Sequence, residues 1–404
     1  MGLTDMLEGK QKAAEGTASL VAFMVDATSH QQMSRALAQL GVTDAHTEIG
    51  TLNDLIRYLE KAEKSPDRLI VDISGLDKPL DALDRLADAC DPSVTVFAVG
   101  EKNDVTLYRL LLQAGITDYR YKPITADALR GWIDAGDGFS VRQARSGKII
   151  AVAGSRGGIG VTSVAGQLAR ELNAGSASRK VVYVDMNVQG GAGTTLMGLA
   201  PNEAMTEALD SLEALDGPFL ERVLTTQDKR LFTLGFNLGF DTPYEHVPGS
   251  ISALLERLSQ HFHYLVVDLA SPGGALADEV YARANTICLL CDASVHSGRV
   301  LSQLLPHLRG MVDSPVIHLI ANTVRPGAAH LEPRDLAQTL THPVAMSIPY
   351  DGRLPATAED LGQPLQKDSQ MAKYVTRLAR TITGEAVDAD EGSGWLRRLF
   401  RKGR

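Results

Sequence analysis

Short apolar runs with few polar interruptions recur along this chain, separated by stretches of helical periodicity. A strand covered on both faces is apolar throughout, and two parallel neighbours need a helical crossover between them. The alternation therefore predicts an α/β fold built on parallel sheets. A first set of runs is LVAFMV at 20–25, RLIVDIS at 68–74, VTVFAVG at 94–100 and TDYRY at 117–121, with helical patterns at 30–40 and 104–115. A second set is KIIAVAG at 148–154, KVVYVD at 180–185, RLFTLGF at 230–236, YLVVDLA at 264–270, TICLLCD at 286–292, VIHLIAN at 316–322 and VAMSIP at 344–349. The second set reads as a doubly wound sheet.

The 404 residues allow two or three domains. Residues 1–18 are small and polar and read as a mobile N-terminus. The first α/β domain is predicted over 19–133 and the second over 148–383. A Gly-, Ser- and charge-rich linker, 134–147, joins them. Residues 384–394 form an acidic tether, and 395–404 a basic tail.

The strand at 148–154 runs into Ser155-Arg156-Gly157-Gly158-Ile159-Gly160-Val161-Thr162-Ser163, and a helical pattern follows. Strand, glycine-rich turn and helix are the context of a phosphate-binding loop. Glycines let backbone amides approach phosphate oxygens, and the helix start favours an anion. The Thr162 hydroxyl stands where a magnesium ligand belongs. The standard lysine position holds Val161, so a cation on the β- and γ-phosphates is missing. Further along, Asp185 ends one strand, Asp268 ends another as a Walker-B-type carboxylate, and Asn322 ends a third. Strand ends form the carboxyl edge of a doubly wound sheet, where ligands bind. ATP or ADP with Mg²⁺ is the expected ligand, with Thr162, Asp185 and Asp268 on the magnesium side.

The loop at 156–162 resembles the K-G-G-x-G-K-[ST] loop of the MinD/ParA family of deviant Walker A ATPases, and the likeness extends over about 148–383, including SIPYDGRLPATAEDLGQPL at 347–365. In that family the first lysine reaches across a nucleotide-sandwich dimer. Arg156 matches it, implying a homodimer with Arg156 acting in trans. The family's second carboxylate, which positions water, is matched by Asn187, and an amide cannot serve as general base. The resemblance places Asn322 on the adenine side. It implies nucleotide binding by residues 156–163 and Asn322, with weak or absent hydrolysis.

The first domain resembles a response-regulator receiver, which has a flavodoxin-like fold. Asp26 follows the first strand, Asp72 stands at the phosphoacceptor position, and Lys122-Pro123 ends the last strand. Ala27 replaces the usual second acid and Gly100 the usual hydroxyl residue, so a docking or dimerisation role is expected. A degenerate receiver followed by a deviant MinD/ParA domain resembles the TadZ/CpaE family. That likeness implies a factor that localises and assembles the Flp (Tad) pilus secretion machine at a cell pole, with the pilus secretion ATPase and polar landmark proteins as partners.

In the tail, Trp395, Leu396, Leu399 and Phe400 share one helical face, and Arg397, Arg398, Arg401 and Lys402 add charge. This pattern suits an anionic membrane surface and resembles the targeting tail of MinD proteins. With no apolar leader or membrane-spanning run and only three cysteines, the expected location is cytoplasmic, peripheral at the inner membrane. A net charge of -9 gives no general reason to coat nucleic acid. Cys288 and Cys291, three apart in a strand, point to opposite faces and read as core. Two rival readings are an active ParA/MinD-type ATPase in partitioning or cell-division positioning, and a signalling protein regulated through Asp72.

Overall fold

The structure is a computed structural model that describes residues 18–62, 65–134, 146–175, 179–189, 191–200, 203–228, 230–311, 315–326, 332–366 and 368–384. The expected N-terminal segment, most of the linker, and the tether and tail beyond Gly384 lie outside the described residues. The chain divides into two compact units: residues up to Ser146 with 177–179, and Gly147–Ser176 with the chain from Lys180 onward. Among the described residues no helix is long and apolar enough to cross a membrane.

The first unit has strands β1 (Leu20–Met24), β2 (Ala45–Ile49), β3 (Arg68–Asp72), β4 (Thr95–Gly100) and β5 (Asp118–Tyr121). They form one parallel sheet in the order β2-β1-β3-β4-β5, the flavodoxin-like arrangement. Alternate residues of β1 feed opposite cores: Val21 and Phe23 on one face, Leu20, Ala22 and Met24 on the other. Trp132 stacks on Phe97 at 4.6 Å and donates its indole N–H to Asp118 at 2.8 Å, so a large buried ring keeps its polar atom satisfied. β2 was not among the expected strands. Its sequence, AHTEI, sits at the sheet edge and is half-buried at best, so it carries little apolar signal.

The second unit has β6 (Lys148–Gly154), β7 (Val181–Asp185), β8 (Thr225–Asp228), β9 (Leu231–Gly235), β10 (Tyr264–Asp268), β11 (Thr286–Cys291), β12 (Val316–Asn322) and β13 (Val344–Ile348). The sheet order is β13-β12-β11-β6-β10-β7-β9-β8, parallel except for β8, which runs antiparallel to β9. β8 (TTQD) is a second polar edge strand that the apolar pattern does not reveal. β6 lies between β10 and β11 with cores on both faces, Ile149, Ala151 and Ala153 on one side, Ile150 and Val152 on the other. Burying Ile149, Ile150 and Val152 contributes about 1.5–3 kcal/mol each. Cys288 and Cys291 are buried in opposite cores. The fold is a receiver-like unit followed by a doubly wound P-loop unit, as the sequence pattern predicts.

Candidate nucleotide site

β6 ends at Gly154, and the helix Val161–Ala174 begins seven residues on, capped by Gly160. Between them the backbone must turn sharply. Gly158 has φ +72° and Gly160 φ +85°, the left-handed region that costs other residues roughly 1–2 kcal/mol. The turn exposes backbone amides at a helix start, where the peptide dipoles favour an anion. Asn322, at the end of β12, donates its amide N–H to the Ile159 carbonyl at 2.8 Å and so braces the loop. Its Oδ1 is buried and has no hydrogen-bond partner among the described residues. A buried acceptor of this kind favours a ligand donor, since an unmade bond costs about 1–3 kcal/mol.

Parallel pairing of β7 with β10 sets Asp185 opposite Asp268, so both carboxylates reach the same sheet edge. Asp185 accepts from the Asn187 amide at 2.9 Å and the Gly193 amide at 3.0 Å. Asp268 accepts from the Tyr183 hydroxyl at 2.6 Å, and the nearby Thr162 hydroxyl favours its charged form. Burial, reinforced by the negative charge of Asp185, pushes the Asp268 carboxyl up to about 7. Burial also raises Asp185, and it raises Tyr183 well above the usual phenol range. A hard cation would relieve this crowding. Two carboxylates and a hydroxyl beside a phosphate loop fit magnesium, which takes one or two protein oxygens and completes its shell with phosphate and water. Among the described residues no three His, Cys, Asp or Glu side chains gather to hold a metal alone.

Beside the loop opens a cavity of about 440 Å³. Its lining includes Gly157, Gly158, Gly160, Thr162, Asn187 and Asn322. That volume suits a small-molecule ligand. Val161 and Ser163 also reach it, whereas the Ile159 side chain is fully buried and only its carbonyl serves the site. Val161 turns a methyl toward Gly154 and packs on the core below, so the lysine position is apolar. Arg156 is the one cation among the described lining residues. Its guanidinium pairs with Asp292 of its own chain at 2.5 Å instead of extending outward, a contact that the trans expectation did not include.

In the first unit, the expected pocket residues also meet. Lys122 Nζ lies 2.7 Å from Asp72 and 3.1 Å from Asp26. Burial alone would lower the Lys122 pKa, but its hydrogen bonds to Asp72 and Asp26 raise it overall. Asp26 caps the helix Ala27–Gln39 through the Ser29 amide and hydroxyl, which hold its carboxyl well below the usual range. The Asp72 side chain has 0% exposure and accepts from the Val25 and Ser74 amides and the Ser74 hydroxyl as well as Lys122. Both oxygens of this buried carboxylate are therefore engaged within the unit. A Cβ on Gly100 would come 2.7 Å from the Tyr119 hydroxyl, which donates to the Lys102 carbonyl at 2.7 Å. The phenol therefore fills the space of the missing hydroxyl residue.

Sequence reading missed Tyr183, Tyr119 and Asp292. A tyrosine inside an apolar run looks like ordinary core. Asp292 carried a usable signal, being a carboxylate just past β11 at the edge that holds Asp185 and Asp268.

No family model matches this chain, and no curated protein does. Among solved structures it is similar to a ParA family ATPase from Chlorobium tepidum TLS, with 19% identity and a TM-score of 0.53 over 57% of this chain and 98% of the other. It is also similar to a chain of the MinC:MinD cell division protein complex of Aquifex aeolicus, with 18% identity and a TM-score of 0.49 over 59% and 97%. The pilus assembly protein CpaE from Caulobacter crescentus CB15 matches at 28% identity over 27% of this chain and 86% of that chain, with a TM-score of 0.25. The first likeness shows the fold of the P-loop unit, of the MinD/ParA type.

Proposed function

We propose that this chain binds ATP or ADP with magnesium, pairs with a second copy of itself, and serves as a localisation and assembly factor, hydrolysing ATP slowly or not at all. The observation that carries the nucleotide reading is Asp185 set opposite Asp268 at the sheet edge, beside a glycine turn braced by Asn322 and a cavity lined by Thr162. Magnesium bound with nucleotide supplies positive charge against the phosphate oxygens; Thr162, Asp268 and Asp185 would hold it. The loop amides bind and orient the phosphates. Val161 contributes no charge, and the Asn187 amide takes no proton from water, which supports slow turnover. Asn322 offers its free oxygen toward the adenine side, and Arg156 serves the partner's phosphate.

The assembly role rests on the order of the two units, which resembles the TadZ/CpaE family and points to the Flp (Tad) pilus secretion machine. The domain boundaries proposed are 19–133 and 148–383, joined by 134–147. A pilus secretion ATPase and polar landmark proteins are the proposed partners, at the inner face of the membrane and at a pole. The basic tail, 395–404, brings the chain to anionic lipid. Deleting 394–404 is expected to abolish co-sedimentation with anionic vesicles; unchanged pelleting of the truncated chain rejects the tail's role.

The deciding experiment is an ATP titration with and without magnesium, paired with phosphate release. Wild type is expected to bind in a magnesium-dependent manner with release near background. Val161→Lys is expected to tighten ATP binding about tenfold, as one added charge-assisted hydrogen bond would. Sustained turnover by wild type would refute the slow-hydrolysis reading, and an absence of binding would refute the whole.

A further inference from the structure

The loop's one cation is held within its own chain. Arg156 Nε donates to Asp292 Oδ2 at 3.0 Å and Nη2 to the same oxygen at 2.5 Å, while Nη1 donates to the Gly157 carbonyl at 3.0 Å. The side chain is thereby folded back over its own loop. Asp292 is prepared for this contact. Its Oδ1 accepts from the Ser294 hydroxyl at 2.6 Å and the Ser297 hydroxyl at 2.5 Å, and Ser297 meets the Ser155 hydroxyl at 2.8 Å. Ser294 in turn caps the helix Val295–Arg309. The carboxylate is thus fixed by one helix start and tied to the first residue of the phosphate loop.

A guanidinium presents its N–H groups in a rigid fork, and the Nε/Nη2 edge is a bidentate edge for carboxylate or phosphate. Asp292 occupies that edge. Arg156 cannot offer it to a phosphate on another chain while the pair is closed. Both side chains remain partly accessible, Arg156 at 24% and Asp292 at 20%, so an incoming anion can compete. Against partial burial, the hydrogen bond from Arg156, followed by those from Ser294 and Ser297, holds the Asp292 carboxyl down at about 2.

We propose that Asp292 is a latch that holds Arg156 in cis and restrains self-association until a partner's nucleotide displaces it. The proposal rests on the nucleotide-dependent pairing put forward above. The latch makes Asp292 a positioning residue of regulatory effect: it sets how much of the pairing free energy goes into opening an existing ion pair. It also reconciles a loop arginine bound at home with a role across the dimer, since the two arrangements use the same fork edge in turn.

The test uses the full chain in ATP and magnesium, with molecular mass followed by sedimentation equilibrium and ATP uptake by a fluorescent analogue. Asp292→Asn is expected to tighten dimerisation about tenfold, the scale of one weakened charged contact. Arg156→Ala is expected to abolish the dimer, and the double variant to match Arg156→Ala. Ser294→Ala with Ser297→Ala loosens Asp292 without removing it, and is expected to shift dimerisation the same way by a smaller factor. That variant keeps the test valid should Asp292→Asn fold poorly. If Asp292→Asn takes up ATP as wild type does yet dimerises no better, the latch alone is overturned. If wild type takes up no ATP, the nucleotide reading falls and the latch with it.

Discussion

Asp268→Asn is expected to stabilise the apo-protein at pH 8 by on the order of 4 kcal/mol, since a carboxyl held near 7 lies about three pH units above its ordinary value and each unit is worth about 1.4 kcal/mol. Desolvation is the main cause and the Asp185 charge the second. A raised folded-state pKa means that the native protein keeps a proton the unfolded chain has released. Its contribution is therefore fully present below pH 4 and is lost as pH rises toward 7. The advantage of the variant should follow that loss, narrowing to less than half at pH 5 and levelling off above about pH 7. Urea unfolding of both proteins in EDTA across pH 4–8 gives the curve directly. A stability difference that does not change with pH would remove Asp268 as the source. The same variant should lose the magnesium dependence of ATP binding, so the stability gained at this edge is bought with function.

In the receiver-like unit, Lys122→Met should cost about 3–5 kcal/mol, because it strips the counter-ion from a carboxylate with no solvent access. The remaining donors to Asp72, two amides and the Ser74 hydroxyl, are neutral and do not replace the ammonium charge. Combining it with Asp72→Leu should recover most of the loss, as replacing both members of a buried pair often does. Hydrogen exchange of the β1 and β3 amides in the full chain isolates this unit from the other. Exchange as slow in Lys122→Met as in wild type would mean that the pair contributes nothing to stability.

The strands that position the nucleotide site were legible because they are central. β6 and β10 are covered on both faces, and KIIAVAG and YLVVDLA show it as unbroken apolar runs. β2 and β8 lie at sheet edges with one strand partner each, and AHTEI and TTQD carry no apolar pattern. Asp185 and Asp268 were legible as carboxylates ending such runs, but only the β7–β10 register makes them neighbours. Tyr183 was invisible, since its hydroxyl matters only once Asp268 is seen to accept from it. Arg156 and Asp292 are 136 residues apart, and no spacing rule links them.

The Gly100–Tyr119 contact limits what position 100 can hold. Any side chain at position 100 meets the phenol at 2.7 Å, and the phenol is anchored to the Lys102 carbonyl. A hydroxyl residue there requires the phenol to move, which breaks its bond to that carbonyl. Positions 100 and 119 are therefore coupled, and a hydroxyl side chain at one is accommodated only with a rearrangement at the other.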